Sequence, residues 1–399
     1  MSPRFEADLP KPPGTVVSCG EPMADETFAG SHTPLAPFDG AVGELVTAQL
    51  TSGREIQAIE LIVDPRQTTP ARDFFKKSEP AADRSALGAW IDRLRSAGIW
   101  ADRGASPDLI AQLNQNLVRP SDMVICSVLD VDAGLRLNAA VAAHQADEMI
   151  RGVRLIARLT GARRTAVVIE QYAAPAWAMP IRDAAQAAQI VVIDLPNDYP
   201  QSDPTLMLYT IARRRLRPGQ WPTSQGVLLM DAAAAIAVAE ARSNRPALSV
   251  PLAIHDHIRQ QAHFLRVPIG MQLADILEGV GIHSDHVKLR GGDLLRDVQL
   301  KPQAIVAGAE LTIHVTPLEL LVNPEPCIRC GWCLDACPTR VQPAAVLEAI
   351  QRQNPALAER AGIHACIECG LCSHVCPAHL PLLASIRGFR AAMPKNLPR

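Results

Sequence analysis

The alternation of apolar and polar positions divides the chain into four stretches. Residues 1 to about 30 show no period and read as irregular. Residues 32–63 alternate with a period of two, broken by Gly and Ser-Gly, which predicts three short strands in a small β module spanning 1–66. Pro65 to Pro80 reads as a polar linker. From 84 to 245 apolar runs and helical periods take turns. Two helices are expected over 84–116, split at Gly98–Gly104. Strands are expected at Met123–Leu129, Ala166–Ile169, Ile190–Leu195 and Gly226–Met230. Between and after them, helices are expected at His144–Leu159, Ala174–Ala188, Leu206–Leu216 and Ala232–Ala241. That succession predicts an α/β layer with a parallel sheet. Residues 247–320 mix short β runs (LSVPLAIH, HFLRVPI, TIHV) with one helix at Leu273–Gly279, a small α+β unit. Residues 323–390 are the last stretch, with Pro343–Ala361 expected to be mostly helical but interrupted at Pro355.

Composition narrows the function. The 399 residues carry a formal charge of −2 and only 4% aromatics, so a basic, stacking nucleic-acid surface is excluded as the main feature. No run of apolar residues reaches the eighteen or so of a membrane span, and Met1–Pro13 lacks the apolar segment of a secretory signal. A cytoplasmic protein is expected, free to dock on a membrane complex.

The cysteines change the picture most. Eight of the ten lie between 327 and 376, in two copies of C-x2-C-x2-C-x3-C-P: Cys327, Cys330, Cys333, Cys337 with Pro338, and Cys366, Cys369, Cys372, Cys376 with Pro377. This is the spacing of bacterial two-cluster ferredoxins. Three thiolates on a tight loop each reach a different iron of one cubane. The fourth is expected to begin a helix that points away, towards the other cluster. One [4Fe–4S] cluster is therefore assigned to Cys327, Cys330, Cys333 and Cys376, the other to Cys366, Cys369, Cys372 and Cys337. Gly331 and Gly370 allow each loop to turn. Disulfides are disfavoured in a cytoplasmic setting. Structural zinc takes separated pairs of thiolates rather than two identical runs of four. Cys19 and Cys126 fall outside the pattern and read as plain thiols. His255 and His257 flank Asp256 on an expected strand and could share a face as a metal pair, but no third ligand is evident beside them; a solvated or capping role is the simpler reading. Arg213, Arg214, Arg215 and Arg217 read as a basic helix end, and Arg290-Gly291-Gly292 as a turn.

Together the order of the stretches and the motifs CIRCGWCLDACPTRVQP and CIECGLCSHVCPAHLPL resemble the C subunit of the Rnf/Rsx electron transport complex. That family is similar in its core to the NADH-binding flavoprotein subunit of respiratory complex I. The blocks HQADEMIRGVRLIARLTGARRTAVVIE, RPGQWPTSQGVLLMDAAAAIAV and VPIGMQLADILEGVGI follow in the family's order. The resemblance implies a multidomain α/β chain. It would comprise a lipoyl-like β module (1–66), a Rossmann-like FMN/NADH domain (84–245), a β-grasp, SLBB-like domain (247–320) and a dicluster [4Fe–4S] ferredoxin-like domain (323–390). It also implies partners: the other subunits of a membrane-bound complex and a soluble ferredoxin-type carrier, met at the cytoplasmic face of the inner membrane.

The departures fall in the flavin region. The family's Gly-rich phosphate loop is matched by Ala97–Pro107, where only Gly98 and Gly104 remain and Asp102 adds negative charge. Its acidic block becomes CSVLDVDAG, which keeps two carboxylates, Asp130 and Asp132, without the following Pro-Tyr. Its Gly-Gly-Glu-Lys becomes Gln201, Ser202, Asp203, Pro204. Gly98, Gly104, Asp130 and Asp132 are thus the candidate remnants of an FMN and NADH site. A cradle that loses glycines loses amide donors to phosphate. The first expectation is therefore an electron-transfer subunit in which no residue acts as an acid or base. Behind it stand an intact NADH:FMN:iron–sulfur oxidoreductase subunit, a non-redox scaffold, and a cobalamin-reductase-like protein.

Overall fold

The computed structural model describes residues 11–24, 34–63, 79–99, 106–131, 135–217, 220–285, 287–293, 295–296, 298–308, 312–318 and 323–392. The chain is mixed α/β, and its described strands fall into three sheets.

The first sheet is antiparallel, with β1 (Val16–Val17), β2 (Gly40–Gln49) and β3 (Glu55–Val63) in that order. This corrects the expectation of three short strands over 32–63. Two long strands occupy that stretch, and the third lies in the part read as irregular. The break at Gly43 is a register shift between Val42 and Leu45, a bulge rather than a turn. The chain turns at Gly53, which sits at φ +81°.

The second sheet is fully parallel, ordered β6-β5-β4-β7, with β4 (Met123–Ser127), β5 (Arg164–Glu170), β6 (Val191–Leu195) and β7 (Val227–Asp231). Strands β4 and β7 are buried along their whole length, as continuous apolar runs covered on both faces must be. Alternate residues feed two cores. Val124, Cys126, Leu228 and Met230 pack among helices Leu87–Ser96, Ala146–Thr160, Pro175–Ala187 and Ala232–Arg242. Met123, Ile125, Val227 and Leu229 pack with Met207 and Leu208 of helix Pro204–Ala212. Burial pushes the Cys126 thiol far up, so it behaves as a small apolar side chain. Helix Ala146–Thr160 presses its Gly152 against Ala232–Arg242 so closely that a Cβ would stand 1.8 Å from the Ala235 carbonyl oxygen. Upstream, Leu137–His144 forms a separate helix that the periodicity did not distinguish, broken at Gln145.

The third sheet is ordered β11-β10-β12-β8-β9. It contains β8 (Ser249–Asp256), β9 (Gln261–Pro268), β10 (Val287–Gly291), β11 (Val298–Leu300) and β12 (Thr312–Pro317). Only β12 and β8 pair in parallel; the other pairs are antiparallel. Helix Leu273–Gly279 covers its apolar face through Leu273, Ile276 and Leu277. Arg290 and Gly291 belong to β10, which corrects their reading as a turn. Glycine is needed at 291 because a Cβ there would stand 2.0 Å from the Thr51 carbonyl oxygen, where the first sheet's turn abuts the third sheet.

The C-terminal stretch packs Val341, Val346, Ala349, Ala358, Ile363 and Ile386 among helices Pro343–Gln351, Pro355–Arg360 and Leu382–Ala392. Pro355 opens a helix rather than merely interrupting one. Asn354 caps it by accepting from the Leu357 N–H at 3.2 Å.

Candidate iron–sulfur centres

The two cysteine runs repeat one local structure. In each, the second residue after the first cysteine takes positive φ: Arg329 at +57° and Glu368 at +57°. The glycine two further on does so again, Gly331 at +85° and Gly370 at +80°. The left-handed pair curls the backbone around the thiols and turns amides inward. The N–H of Arg329 reaches Cys327 Sγ at 3.4 Å, and the N–H of Glu368 reaches Cys366 Sγ at 3.4 Å. A one-turn helix follows, Trp332–Asp335 or Leu371–His374, and the fourth cysteine lies just past its end. This departs from the expectation that the fourth cysteine begins a helix. The displacement towards the other run comes from leaving a helix.

The thiols gather around two cavities. One, of about 240 Å³, is lined by Cys327, Cys330, Cys333 and Cys376. A smaller one is lined by Cys337, Cys366, Cys369 and Cys372. Four sulfur donors around a space with no competing carboxylate in its lining fit an iron–sulfur cubane in each case. Their surroundings differ. Cys327 and Cys330 are exposed, and Ile328 and Trp332 stand out beside them at 66% and 57% exposure. Cys369 is buried. Burial pushes the Cys366 thiol up to about 11 and that of Cys372 up to about 12, so these two stay protonated at neutral pH unless a metal takes the proton's place.

The second run is also tied to the rest of the chain. Tyr199 donates to the Cys369 carbonyl oxygen, and its hydroxyl stands 3.2 Å from Asp293 Oδ1. Asp293 in turn pairs with Arg296 at 2.5 Å. Gly370 lies so close to this turn that a Cβ would be 2.0 Å from the Leu295 carbonyl oxygen. Glu368 takes Arg387 at 3.1 Å and Arg390 at 2.6 Å, and Arg390 also reaches the Cys366 carbonyl at 3.0 Å. Tyr199 and Glu368 were missed by sequence reasoning, because neither type nor spacing marks a residue that anchors a loop.

The candidate flavin residues are not brought together among the described residues. Gly98 (φ +69°) ends helix Leu87–Ser96 and lines a largely apolar cavity of about 410 Å³ between the parallel sheet's helices and the third sheet. Asp130 is buried elsewhere, accepting from the N–H groups of Asn138 at 2.7 Å and Ala139 at 3.4 Å. Gly104 and Asp132 lie outside the described residues. Strand order reverses between β4 and β7; there β7 runs into helix Ala232–Arg242, and Asp231 fills that helix start by accepting from the Ala234 N–H at 2.8 Å. A phosphate would meet a carboxylate there instead of open amides. Residues 100–105, the centre of the loop matched to the family's phosphate cradle, lie outside the described residues. The basic run near 213 is partly spoken for: Arg214 forks onto Asp122 at 2.7 and 2.8 Å.

His255 and His257 do share a face, and β12 supplies the neighbour that the local sequence lacked. His314 stands opposite His255 in register, with its Nδ1 2.9 Å from His257 Nε2.

Two family models match the chain: a Nuo51 FMN-binding domain over residues 94–240 and a 4Fe-4S dicluster domain over residues 326–381. The chain is similar to the C subunit of an ion-translocating oxidoreductase complex of Haemophilus influenzae, 26% identical over 89% of this chain and 44% of that protein. A Rhodobacter capsulatus protein of the same description is 27% identical over 93% of this chain and 72% of its own length. The C subunit of the proton-translocating ferredoxin:NAD(+) oxidoreductase complex of Clostridium ljungdahlii is 24% identical over 63% of this chain and 56% of that protein. The chain spans about half the length of most of the curated relatives it matches. Among solved structures, a chain of an NAD+-reducing [NiFe]-hydrogenase in the H2-reduced state shares the fold, with a TM-score of 0.55, 13% identity and coverage of 78% of this chain and 62% of that one. These matches bear out the resemblance to the C subunit of the Rnf/Rsx complex. Among the described residues, no helix is long and apolar enough to cross a membrane.

Proposed function

We propose that this chain is an iron–sulfur electron-transfer subunit of an Rnf-like, membrane-associated electron transport complex. Cys327, Cys330, Cys333 and Cys376 would hold one [4Fe–4S] cluster, and Cys366, Cys369, Cys372 and Cys337 the other. The observation that carries this reading is the exchange of the fourth cysteine: each cavity is lined by three thiols of one run and the last thiol of the other. Clusters so held pass one electron at a time between neighbouring cubanes. The protein's share of the work is positional. The left-handed turns aim amide N–H groups at sulfur, which favours the reduced, more negative state. Tyr199, Arg387 and Arg390 clamp the second loop. The exposed first loop offers the approach for a soluble ferredoxin-type carrier, and the complex's other subunits would meet the chain at the cytoplasmic face of the membrane. In this reading the first sheet belongs to a lipoyl-like module, the third to a β-grasp, SLBB-like domain, and the domain limits are 1–66, 84–245, 247–320 and 323–390.

A second reading is favoured by the FMN-binding model over 94–240: an intact flavoprotein that takes hydride from NADH. Anaerobic reconstitution of the full chain with iron and sulfide separates the two. A brown spectrum bleached by dithionite but not by NADH, with about eight irons per chain as two cubanes require, supports the relay. A flavin band with bleaching by NADH supports the flavoprotein. A chain that takes up no iron refutes both.

A further inference from the structure

We propose that His255, His257 and His314 form a binding site for a divalent transition-metal ion of the zinc class, separate from the cysteine centres. Strands β8 and β12 run parallel with His255 opposite His314, so both side chains leave the same face of the sheet. His257 follows His255 by two residues and returns to that face. The other face is the apolar one, built from Leu252, Ile254, Ile313 and Val315. Asp256 is buried and accepts from the N–H groups of Ile258 at 2.9 Å and Arg259 at 3.0 Å, so its carboxylate stays out of the histidine group.

The three rings are already clustered. Ring centroids lie 3.9 Å (His255–His257), 5.1 Å (His257–His314) and 5.8 Å (His255–His314) apart. One nitrogen from each falls within 4.8 Å of the others. Zn–N bonds of 2.0–2.1 Å in a tetrahedron put nitrogens about 3.3 Å apart. Metal binding would require side-chain rotations that bring the nitrogens up to about 1.5 Å closer. His314 is buried while His255 and His257 are half-buried, so the group is fixed at its base and open at its mouth. Three imidazoles and an open fourth position suit zinc, cobalt, nickel or copper rather than magnesium or calcium, which prefer oxygen. On β10, Arg290 stands across from His314 on the same face. Its positive charge opposes a cation, so the affinity should fall below that of an all-thiolate site.

The test uses the full, untagged chain with its clusters reconstituted anaerobically, so that the cysteines are occupied. Zinc bound after equilibrium dialysis is measured by mass spectrometry, and its ligands are read by zinc-edge X-ray absorption. We expect one zinc per chain with a nitrogen shell showing imidazole scattering. His255→Gln/His257→Gln should weaken uptake at least about tenfold with iron content unchanged. Circular dichroism and melting without zinc check the variant's fold, and His257→Gln alone serves if the double variant does not fold. Failure of the wild type to bind zinc, a sulfur-dominated shell, or equal zinc uptake by wild type and a folded variant would overturn the proposal. In the first case the His257–His314 contact is a hydrogen bond and nothing more. Iron measured on the same samples checks that the cysteines are occupied, so that a zinc signal does not come from vacant thiolates.

Discussion

Gly331 and Gly370 occupy equivalent places in the two cysteine loops, yet the structure assigns them unequal consequences. Both sit near φ +80°, Gly331 at +85° and Gly370 at +80°, so alanine at either costs about 1–2 kcal/mol of left-handed backbone strain. At Gly331 an added Cβ meets nothing within 4 Å. At Gly370 it would stand 2.0 Å from the Leu295 carbonyl oxygen and 3.2 Å from the Leu295 Cβ. Backbone on both sides must then move apart by more than an ångström. That movement strains the Tyr199 bond to the Cys369 carbonyl and the contacts of Glu368 with Arg387 and Arg390. Overpacking of this kind adds about 1–3 kcal/mol. The difference between Gly370→Ala and Gly331→Ala should therefore be about 1–3 kcal/mol, a factor of about 5 to 150 in an equilibrium or opening-limited rate. The assay is the rate of iron release to a chelator at fixed, sub-denaturing guanidinium, with urea midpoints from tryptophan fluorescence alongside. Gly370→Ala should lose iron faster and unfold earlier than Gly331→Ala. Equal effects of the two substitutions would refute the docked-loop argument, because strain alone would then account for both.

Cys330→Ala and Cys337→Ala lie in one run but line different cavities, so each should remove about half the iron and leave a different paramagnetic species; the same surviving spectrum from both would contradict the exchange of fourth cysteines. Tyr199→Phe removes a hydroxyl from the Cys369 carbonyl and Asp293 and should lower stability by about 1–2 kcal/mol, read as a shift in urea midpoint. Arg214 and Arg164 hold the Asp122 carboxyl well below the usual carboxylate range through hydrogen bonds to Arg214 first. A carboxyl depressed in the fold stabilises above its unfolded value and loses that contribution as pH falls, so Asp122→Asn should cost about 1 kcal/mol at pH 7. The gap between wild type and variant should hold from pH 8 to 5 and narrow below about pH 4; a gap that widens on acidification would reverse the assigned sign.

The chemistry was more legible in the chain than the contacts that frame it. Cysteine spacing is local, and a local pattern survives any tertiary arrangement. The buried runs at Met123–Ser127 and Val227–Asp231 also announce themselves, because strands covered on both faces cannot alternate. Strand Val16–Val17 is too short to show a period. Strands Val287–Gly291 and Val298–Leu300 mix polar and small residues that only their neighbours make sense of. His314 could not be linked to His255 without the parallel register between two strands far apart in sequence. Asp130 shows a second kind of contact that sequence does not reveal. An acidic residue at a cofactor-like position turns out to hold the start of helix Leu137–His144, and nothing in its neighbours distinguishes a cap from a ligand.

The asymmetry of the two cysteine centres follows from the same docking. A doubled motif would by itself give two equivalent sites, as the matching φ values and N–H···S contacts of the loops show. Equivalence is lost where the second loop meets Tyr199, Asp293 and Leu295, because every anchor there removes solvent from one set of thiols only. A cluster in the shielded set exchanges charge with less help from water, so burial lowers the ease of adding an electron while amide N–H groups oppose that effect. A cluster in the exposed set sits beside Ile328 and Trp332, where a partner's approach would change its solvation on contact. Clusters held in these two unequally shielded sets would therefore be expected at different potentials, although the motifs are alike. Loosening the Gly370 contact by Gly370→Ala should shrink that difference, read by potentiometric titration of the two reconstituted clusters.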